Sequence, residues 1–376
     1  MLTLGTELIA GLTVAGVFTL MLVAVPSLAR FKGLWLVSMA AAIGYYRREA
    51  LGFLIVTALS YLAVYLLSRV APPRRWRFGC LLIVTLVAVF TLGRLGHWNR
   101  PLTLPAIGPF AVYSLGMWHA LRLVTLFWEV GSGSVARPSL SQYVLWICLP
   151  FTLGGPILRW SQMPPALGSD PRILRMPAWW LGGAAATAKL VTGVSLAAGQ
   201  VYLNSHVNAH YLDNVISTFV TGPLGFYLTS AGYLHWMELL ARCCCVKLPE
   251  SYNSPVGREN ISAFWMNWNM TATYVFRDYL FYNRWGRRNY NVYFNTLLLF
   301  TLVGLWHAAN AYWILWGFLH GLLFCTFLVW RKYGQRLDLP LRGTPISNLA
   351  ARASTYFCVC MCWYLPSKIL QKAGAL

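Results

Sequence analysis

A histidine set in an uncharged, apolar stretch is the first place to look for chemistry. His307 lies in Leu302-Val303-Gly304-Leu305-Trp306-His307-Ala308-Ala309-Asn310, inside the 42 residues from Asn289 to Trp330 that contain no Asp, Glu, Lys or Arg. A neutral imidazole costs less to bury than a carboxylate or an ammonium, and near neutral pH it can take a proton from a hydroxyl. Ionisable groups within membrane spans mark functional sites by default. One reading of His307 is a general base. The other is a core histidine bonded to a backbone carbonyl of a neighbouring helix, and the pattern alone does not choose between them.

The remaining histidines carry weaker signals. His320 follows thirteen residues later, in Trp316-Gly317-Phe318-Leu319-His320-Gly321. On one unbroken helix it would point about 140° away from His307, and a turn at Ala308 to Ala311 would send the two toward opposite ends of a hairpin. His320 is therefore read as a supporting or packing residue. His206 and His210 are four apart with Asp213 three further on, a spacing that could hold a metal. No HExxH pattern surrounds them, a polar cap at a span end is preferred, and no metal is expected. His97, His119 and His235 have no informative spacing. Nine cysteines occur without zinc or disulfide spacing and are read as small packing residues; Cys243, beside a span end, also fits acylation.

A second stretch, Ser251 to Arg288, mixes Arg258, Glu259, Arg277, Asp278, Arg284, Arg287 and Arg288 with many aromatic residues. Trp265, Trp268, Ala272 and Phe276 step by three, four and four, which is one helical face. Asn267, Asn269, Thr271 and Thr273 lie between them. The expectation is an amphipathic helix at the membrane surface or dipping into it. A cytoplasmic loop helix without chemistry would show the same periodicity.

The elements that must carry these residues are read from composition. Of 376 residues, 58% are hydrophobic and only 11% charged, against about 25% in soluble domains. That excludes a disordered or ordinary cytosolic chain. Thirty Lys+Arg against ten Asp+Glu give a formal net charge of +20. In so apolar a chain, anionic lipid headgroups are the expected counterpart, and no nucleic acid is implied. Uncharged apolar runs extend over Leu8–Ala29, Leu51–Ser68, Phe78–Gly93, Pro101–Leu121, Pro138–Leu158, Leu190–Leu212, Asn214–Met237, Asn289–Trp330 and Ala353–Ser367. A crossing takes about 20 helical residues, and backbone in lipid must bond to itself. The first run reads as a retained span rather than a leader. Asn289–Trp330 is long enough for two crossings. Phe31–Tyr46 and Met176–Ala188 fit tilted or re-entrant pieces. The expected fold is all-α: a polytopic transmembrane protein with about ten spans plus re-entrant or amphipathic helices, in one membrane-embedded domain over residues 1–376. Basic clusters at Arg47-Arg48, Arg69 to Arg77, Arg284 to Arg288 and Arg331 to Arg336 belong to cytoplasmic loops.

Four motifs in order carry a family resemblance. Leu248-Pro249-Glu250-Ser251-Tyr252-Asn253-Ser254-Pro255 resembles L-P-E-N-F-N-R-P. Asn260-Ile261-Ser262-Ala263-Phe264-Trp265-Met266-Asn267-Trp268 resembles S-I-x-E-F-W-x-R-W. Phe276-Arg277-Asp278-Tyr279-Leu280 matches F-R-D-Y-L. Gly304 to Asn310, with Trp316-Gly317 and Leu319-His320-Gly321, resembles G-L-W-H-G-A-N followed by W-G-x-x-H-G. With the weaker Gly155-Pro156-Ile157-Leu158-Arg159 and Ser230-Ala231-Gly232-Tyr233, the likeness covers about 155–321. In these motifs the chain resembles the membrane-bound O-acyltransferase family, and within it the bacterial branch that includes the alginate O-acetylation protein and the teichoic acid D-alanyl transferase. It departs from the pattern at Ala263, Asn267, Asn269, Ala308 and His235. The branch commonly has His where Asn269 stands; Asn there is familiar in animal members of the family.

The resemblance implies acyl transfer, acetyl foremost, from a thioester donor to a hydroxyl, with D-alanyl transfer as the alternative. His307 would be the general base, and Asn269 would donate a hydrogen bond to the acyl carbonyl or orient the donor. Arg277, Asp278, Trp306, Asn310 and His320 would support the site. No cofactor is expected to stay bound; the co-substrate would be acetyl-CoA or a loaded acyl carrier protein. The family architecture implies a tunnel with donor entering from the cytoplasm and acceptor, a cell-envelope polysaccharide or a partner protein, from the far side. The place implied is the bacterial inner membrane, with an extracytoplasmic acyltransferase or a polymer-synthesis complex as partner. A transporter or flippase is the rival of another class, but it should show paired broken helices or acids within the spans, and Asp and Glu are nearly absent from these. A non-catalytic scaffold would have no use for His307.

Overall fold

The computed structural model describes residues 2–24, 34–46, 50–95, 117–163, 176–206, 216–244, 246–282, 291–334 and 344–374, and its regular elements are all helical. Contacts divide the chain into two compact units, Met1–Ala184 with Tyr233–Glu250, and Ala185–Gly232 with Ser251–Leu376. Three helices among the described residues are long and apolar enough to cross a membrane: Ala50–Arg69, Leu181–Gly199 and Ala311–Tyr333. Ile9–Leu22, Leu34–Tyr46 and Val292–His307 are apolar but shorter. Of the roughly ten crossings expected, three meet the length and hydropathy of a span among the described residues. Sixteen residues from Val292 to His307 rise about 24 Å, less than the roughly 30 Å hydrocarbon core. Most of Pro101–Leu121 lies outside the described residues.

In the first unit, α1 (Leu2–Ala24), α2 (Leu34–Tyr46) and α3 (Ala50–Arg69) follow the apolar runs. α4 (Pro72–Leu95) opens on Pro72, where a missing N–H costs nothing. α5 spans Met117–Ser132. The run Pro138–Leu158, expected as one crossing, is instead broken. α6 (Leu140–Cys148) starts at a Ser139–Gln142 capping box and stops before Pro150, after which come a 3₁₀ turn and Gly155 at φ +95°. The carbonyls this break frees are taken by Arg122 of α5. Its guanidinium, 1% exposed, donates to Ile147 O (3.2 Å), Thr152 O (3.4 Å) and Trp146 O, and lies over the Trp146 ring. A charge inside an apolar stretch of another helix therefore allows this one to end early.

α7 (Met176–His206) and α8 (Phe226–Cys243) contribute to both units. The second unit adds α9 (Ile261–Asn267), α10 (Met270–Val275), a π-helical turn at Phe276–Tyr282, α11 (Val292–His307), α12 (Ala311–Tyr333) and α13 (Pro345–Lys372). α11 and α12 form a hairpin whose turn, Ala308 to Asn310, falls where the sequence placed it. Asn310 Oδ1 accepts from Trp313 N (2.9 Å) and so caps α12. The two legs approach backbone to backbone because Gly304 faces the Trp313 carbonyl, Gly317 the Phe300 carbonyl and Gly321 the Leu297 Cα. Small residues one turn apart are what permit such contact between helices in lipid. α12 buries Trp316, Gly317, His320, Gly321 and Cys325, while Ile314, Phe318, Leu322 and Val329 are exposed. An apolar outer face on a helix of this length suits a lipid surround.

Candidate functional site

One cavity of about 310 Å³ lies within the second unit, and it is lined by residues of α9, α10, the π-helical turn, α11 and α12. α11 presents Val292, Thr296, Leu299, Val303 and Trp306 to it, steps of four, three, four and three that hold to one face. His307, the last residue of that helix, joins them. The opposite wall comprises Trp265, Trp268, Asn269, Ala272, Phe276 and Arg277. The face read from the sequence at Trp265, Trp268, Ala272 and Phe276 thus covers a cavity. All four are buried, and the single amphipathic helix expected here is two short helices that meet at Asn269.

The cavity is elongated. Val292 and His307 sit about 22 Å apart along α11, fifteen steps of helical rise. Cys325 Sγ reaches Tyr293 O at 3.4 Å, which sets the last turns of α12 beside the first turn of α11. Phe324, Leu328 and Arg331 therefore line the end remote from His307.

Three indoles surround His307. Trp313 stacks on it with ring centroids 4.7 Å apart and planes at 22°. Trp306 lies at 4.7 Å and 53°, and Trp316 presents itself nearly perpendicular at 5.4 Å. His307 itself is half-buried and turned to the cavity.

Asn269 sits where the amphipathic stretch breaks. α9 ends at Asn267 and α10 begins at Met270, with Asn269 at φ 38°, ψ 58°. Asn is among the few residues other than Gly that enter this left-handed region, and backbone held there concentrates at functional sites. The neighbouring loop imposes the break: Met270 N donates to Ser251 O (2.7 Å) and Asn253 N to Asn267 O (3.1 Å). Arg258 braces that loop through Ser254 O (3.0 Å), Asn253 O (2.6 Å) and Asn267 Oδ1 (3.2 Å). Asn269 Oδ1 accepts from Thr271 Oγ1 at 3.4 Å, which leaves the donor end of the amide to offer to a ligand.

The structure thus brings His307, Asn269, Trp306 and Arg277 to one cavity. Arg277 Nε pairs with Asp278 Oδ1 at 2.7 Å, both about a third exposed, and its guanidinium covers the Tyr274 ring. Asp278 is not among the lining residues, and Asn310 serves as the cap of α12. His320 is fully buried against Trp265 (5.0 Å) and Trp316 (4.5 Å). The Trp316 ring touches both His320 and His307 (5.4 Å), so the two histidines share a neighbour rather than standing at opposite ends of the hairpin. The sequence reading missed Trp313, whose contact with His307 crosses the turn and leaves no mark in helical spacing. His119 is buried against Phe53 in the first unit. His97, His210, Asp213, Arg47, Arg48, Arg284, Arg287, Arg288 and Arg336 lie outside the described residues, as does the side chain of His206. Among the described residues no group of His, Cys, Asp and Glu is arranged to hold a metal.

Comparison with known proteins gives a consistent set of relatives. No family model matches the chain. It is 39% identical over 98 residues to a peptidoglycan O-acetyltransferase of Helicobacter pylori, covering 26% of this chain and 19% of that protein. It is 28% identical over 147 residues to a teichoic acid D-alanyltransferase of Bacillus subtilis, 36% of each chain. A probable alginate O-acetylase of Pseudomonas putida is 29% identical over 144 residues, 37% of this chain and 27% of the relative. The matches therefore span between about a fifth and just over a third of these relatives. Apolar helices and kin together identify an integral membrane protein.

Proposed function

We propose that this chain, a relative of the bacterial membrane-bound O-acyltransferases, moves an acyl group, acetyl foremost, from a cytoplasmic thioester to a hydroxyl of a cell-envelope polymer or of a partner protein. The observation that carries the reading is the meeting of His307 and Asn269 in one cavity. His307 takes the proton of the acceptor hydroxyl as its oxygen attacks the thioester carbonyl. The carbonyl oxygen gains negative charge, and the Asn269 amide donates to it without placing a charge in lipid. The intermediate collapses by breaking the carbon–sulfur bond. The thiolate leaves with the proton that His307 carried, so the imidazole ends neutral. Both substrates are bound together, and no covalent acyl-enzyme is needed.

The cavity's shape supports a thioester on a long arm. It is mostly apolar and its lining runs the length of α11, comparable with an extended phosphopantetheine. Arg331 lies at the end remote from His307, where an anionic phosphate would fall, and coenzyme A and acyl carrier proteins both carry that arm. Within this reading, Arg331→Glu raises KM for acetyl-CoA about tenfold and leaves kcat unchanged, because the charge is far from the reacting atoms. Initial rates at varied donor concentration check it, and an unmoved KM places the phosphate elsewhere. The teichoic acid relative favours D-alanyl as the second acyl group.

The site of action proposed is the inner membrane, with an extracytoplasmic acyltransferase or a polymer-synthesis complex accepting or relaying the group. The test is transfer of labelled acetyl from acetyl-CoA, and separately of a labelled acyl group from a loaded carrier protein, in membranes that hold the chain and an envelope polymer. No transfer from either donor refutes the proposal. Asn269→Gly is the informative variant for the carbonyl partner. Glycine accepts φ 38° freely, so the thermal midpoint stays within a few degrees of wild type. Loss of the donor lowers kcat about 10²–10³-fold. A glycine variant that transfers at the wild-type rate removes Asn269 from the mechanism.

A further inference from the structure

We infer that Trp313 is a positioning residue for His307, fixing the plane of its ring and stabilising the imidazolium through its indole face. The inference rests on the acyl-transfer reading of the cavity. Rotation of an imidazole about its last side-chain bond is broad, so a base that must aim one nitrogen at a hydroxyl needs something to hold its plane. Trp313 supplies a plane: it is stacked at 4.7 Å and 22°, whereas Trp306 is tilted and Trp316 meets the ring edge-on.

Trp313 is itself held. Its backbone N–H is bonded to the Asn310 cap, and its carbonyl is pressed against Gly304, one turn before His307 on the other leg. Its ring is backed by Trp363 at 5.8 Å and by Trp316 at 5.3 Å. Trp313 is not among the residues lining the cavity, so it acts on His307 from behind and leaves the reacting face open. When His307 takes the hydroxyl proton, the new cation forms against an indole, the aromatic face that binds cations best. That stabilises the charged state in a mostly apolar cavity.

A packing role would place the same residue there, so the test separates plane and charge from volume. Fluorinated tryptophans at position 313 keep the shape of the ring while withdrawing negative potential from its face. Across a series carrying none to four fluorines, kcat should fall stepwise, about tenfold in all. KM for the donor should stay within twofold and the thermal midpoint within a few degrees. In parallel, Trp313→Phe should keep kcat within about threefold of wild type, and Trp313→Leu should lose ten- to a hundredfold. Rates are compared per folded molecule. A flat fluorine series with a Leu variant as active as Phe overturns the inference and leaves acyl transfer standing, provided His307→Ala is inactive. A wild-type chain that transfers nothing overturns the acyl-transfer reading and this inference with it.

Discussion

Replacing His307 by alanine is expected to lower acyl transfer about 10²–10⁴-fold, the range a positioned general base contributes. The loss should appear in kcat. The apolar stripe of α11 and the Arg331 end of the cavity, which would hold the donor, are untouched by the change. Folding should survive it, because alanine is a good helix former at the end of α11 and the hairpin contacts run through Gly304, Gly317 and Gly321. A detergent melting curve within a few degrees of wild type makes the kinetic loss interpretable. His307→Gln is the companion variant: it keeps a polar group in the tryptophan cage but cannot accept the proton, so it should be as inactive as alanine. Transfer at an unchanged rate in either variant would sink the mechanism.

The second large effect is structural. Gly317→Val should abolish the folded hairpin, at a cost of about 3 kcal/mol or more, the upper end of overpacking. A Cβ at Gly317 meets the Phe300 carbonyl and lies 3.1 Å from the Thr301 Cα. These are backbone atoms of the facing helix, so no rotamer change relieves the clash. One leg must move away from the other, and the cavity wall on α11 moves with it. Even Gly317→Ala should be poorly tolerated. The measurements are the thermal midpoint and the monodisperse fraction in detergent. A Val variant with both at wild-type values would show that the legs are not in backbone contact.

What could be read from the residues was set by local rules. The α11–α12 hairpin and its turn followed from a charge-free run too long for one crossing. His307 stood out because nothing else in that run but His320 can titrate near neutral pH. The stripe from Trp265 to Phe276 was legible as a shared face, since all four side chains do turn to one cavity. What lay beyond reach depended on distant partners. Asn269 leaves the helix because Ser251 and Asn253 bond to the backbone beside it, and periodicity carries no trace of those bonds. Pro138–Leu158 reads as an apolar crossing, yet it breaks before Pro150, and Arg122 of α5 donates to the carbonyls that the break frees. Trp313 touches His307 only through the fold of the turn.

The left-handed backbone at Asn269 has a consequence for anyone who evolves this protein. Glycine relieves that conformation at no steric cost, but under the proposed acyl-transfer mechanism it has no amide to offer the acyl carbonyl. Selection for thermostability and selection for turnover should therefore choose different residues at this one position. If Asn269 acts as proposed, a library sorted on expression or heat tolerance alone is expected to enrich well-folded variants with reduced acyl transfer.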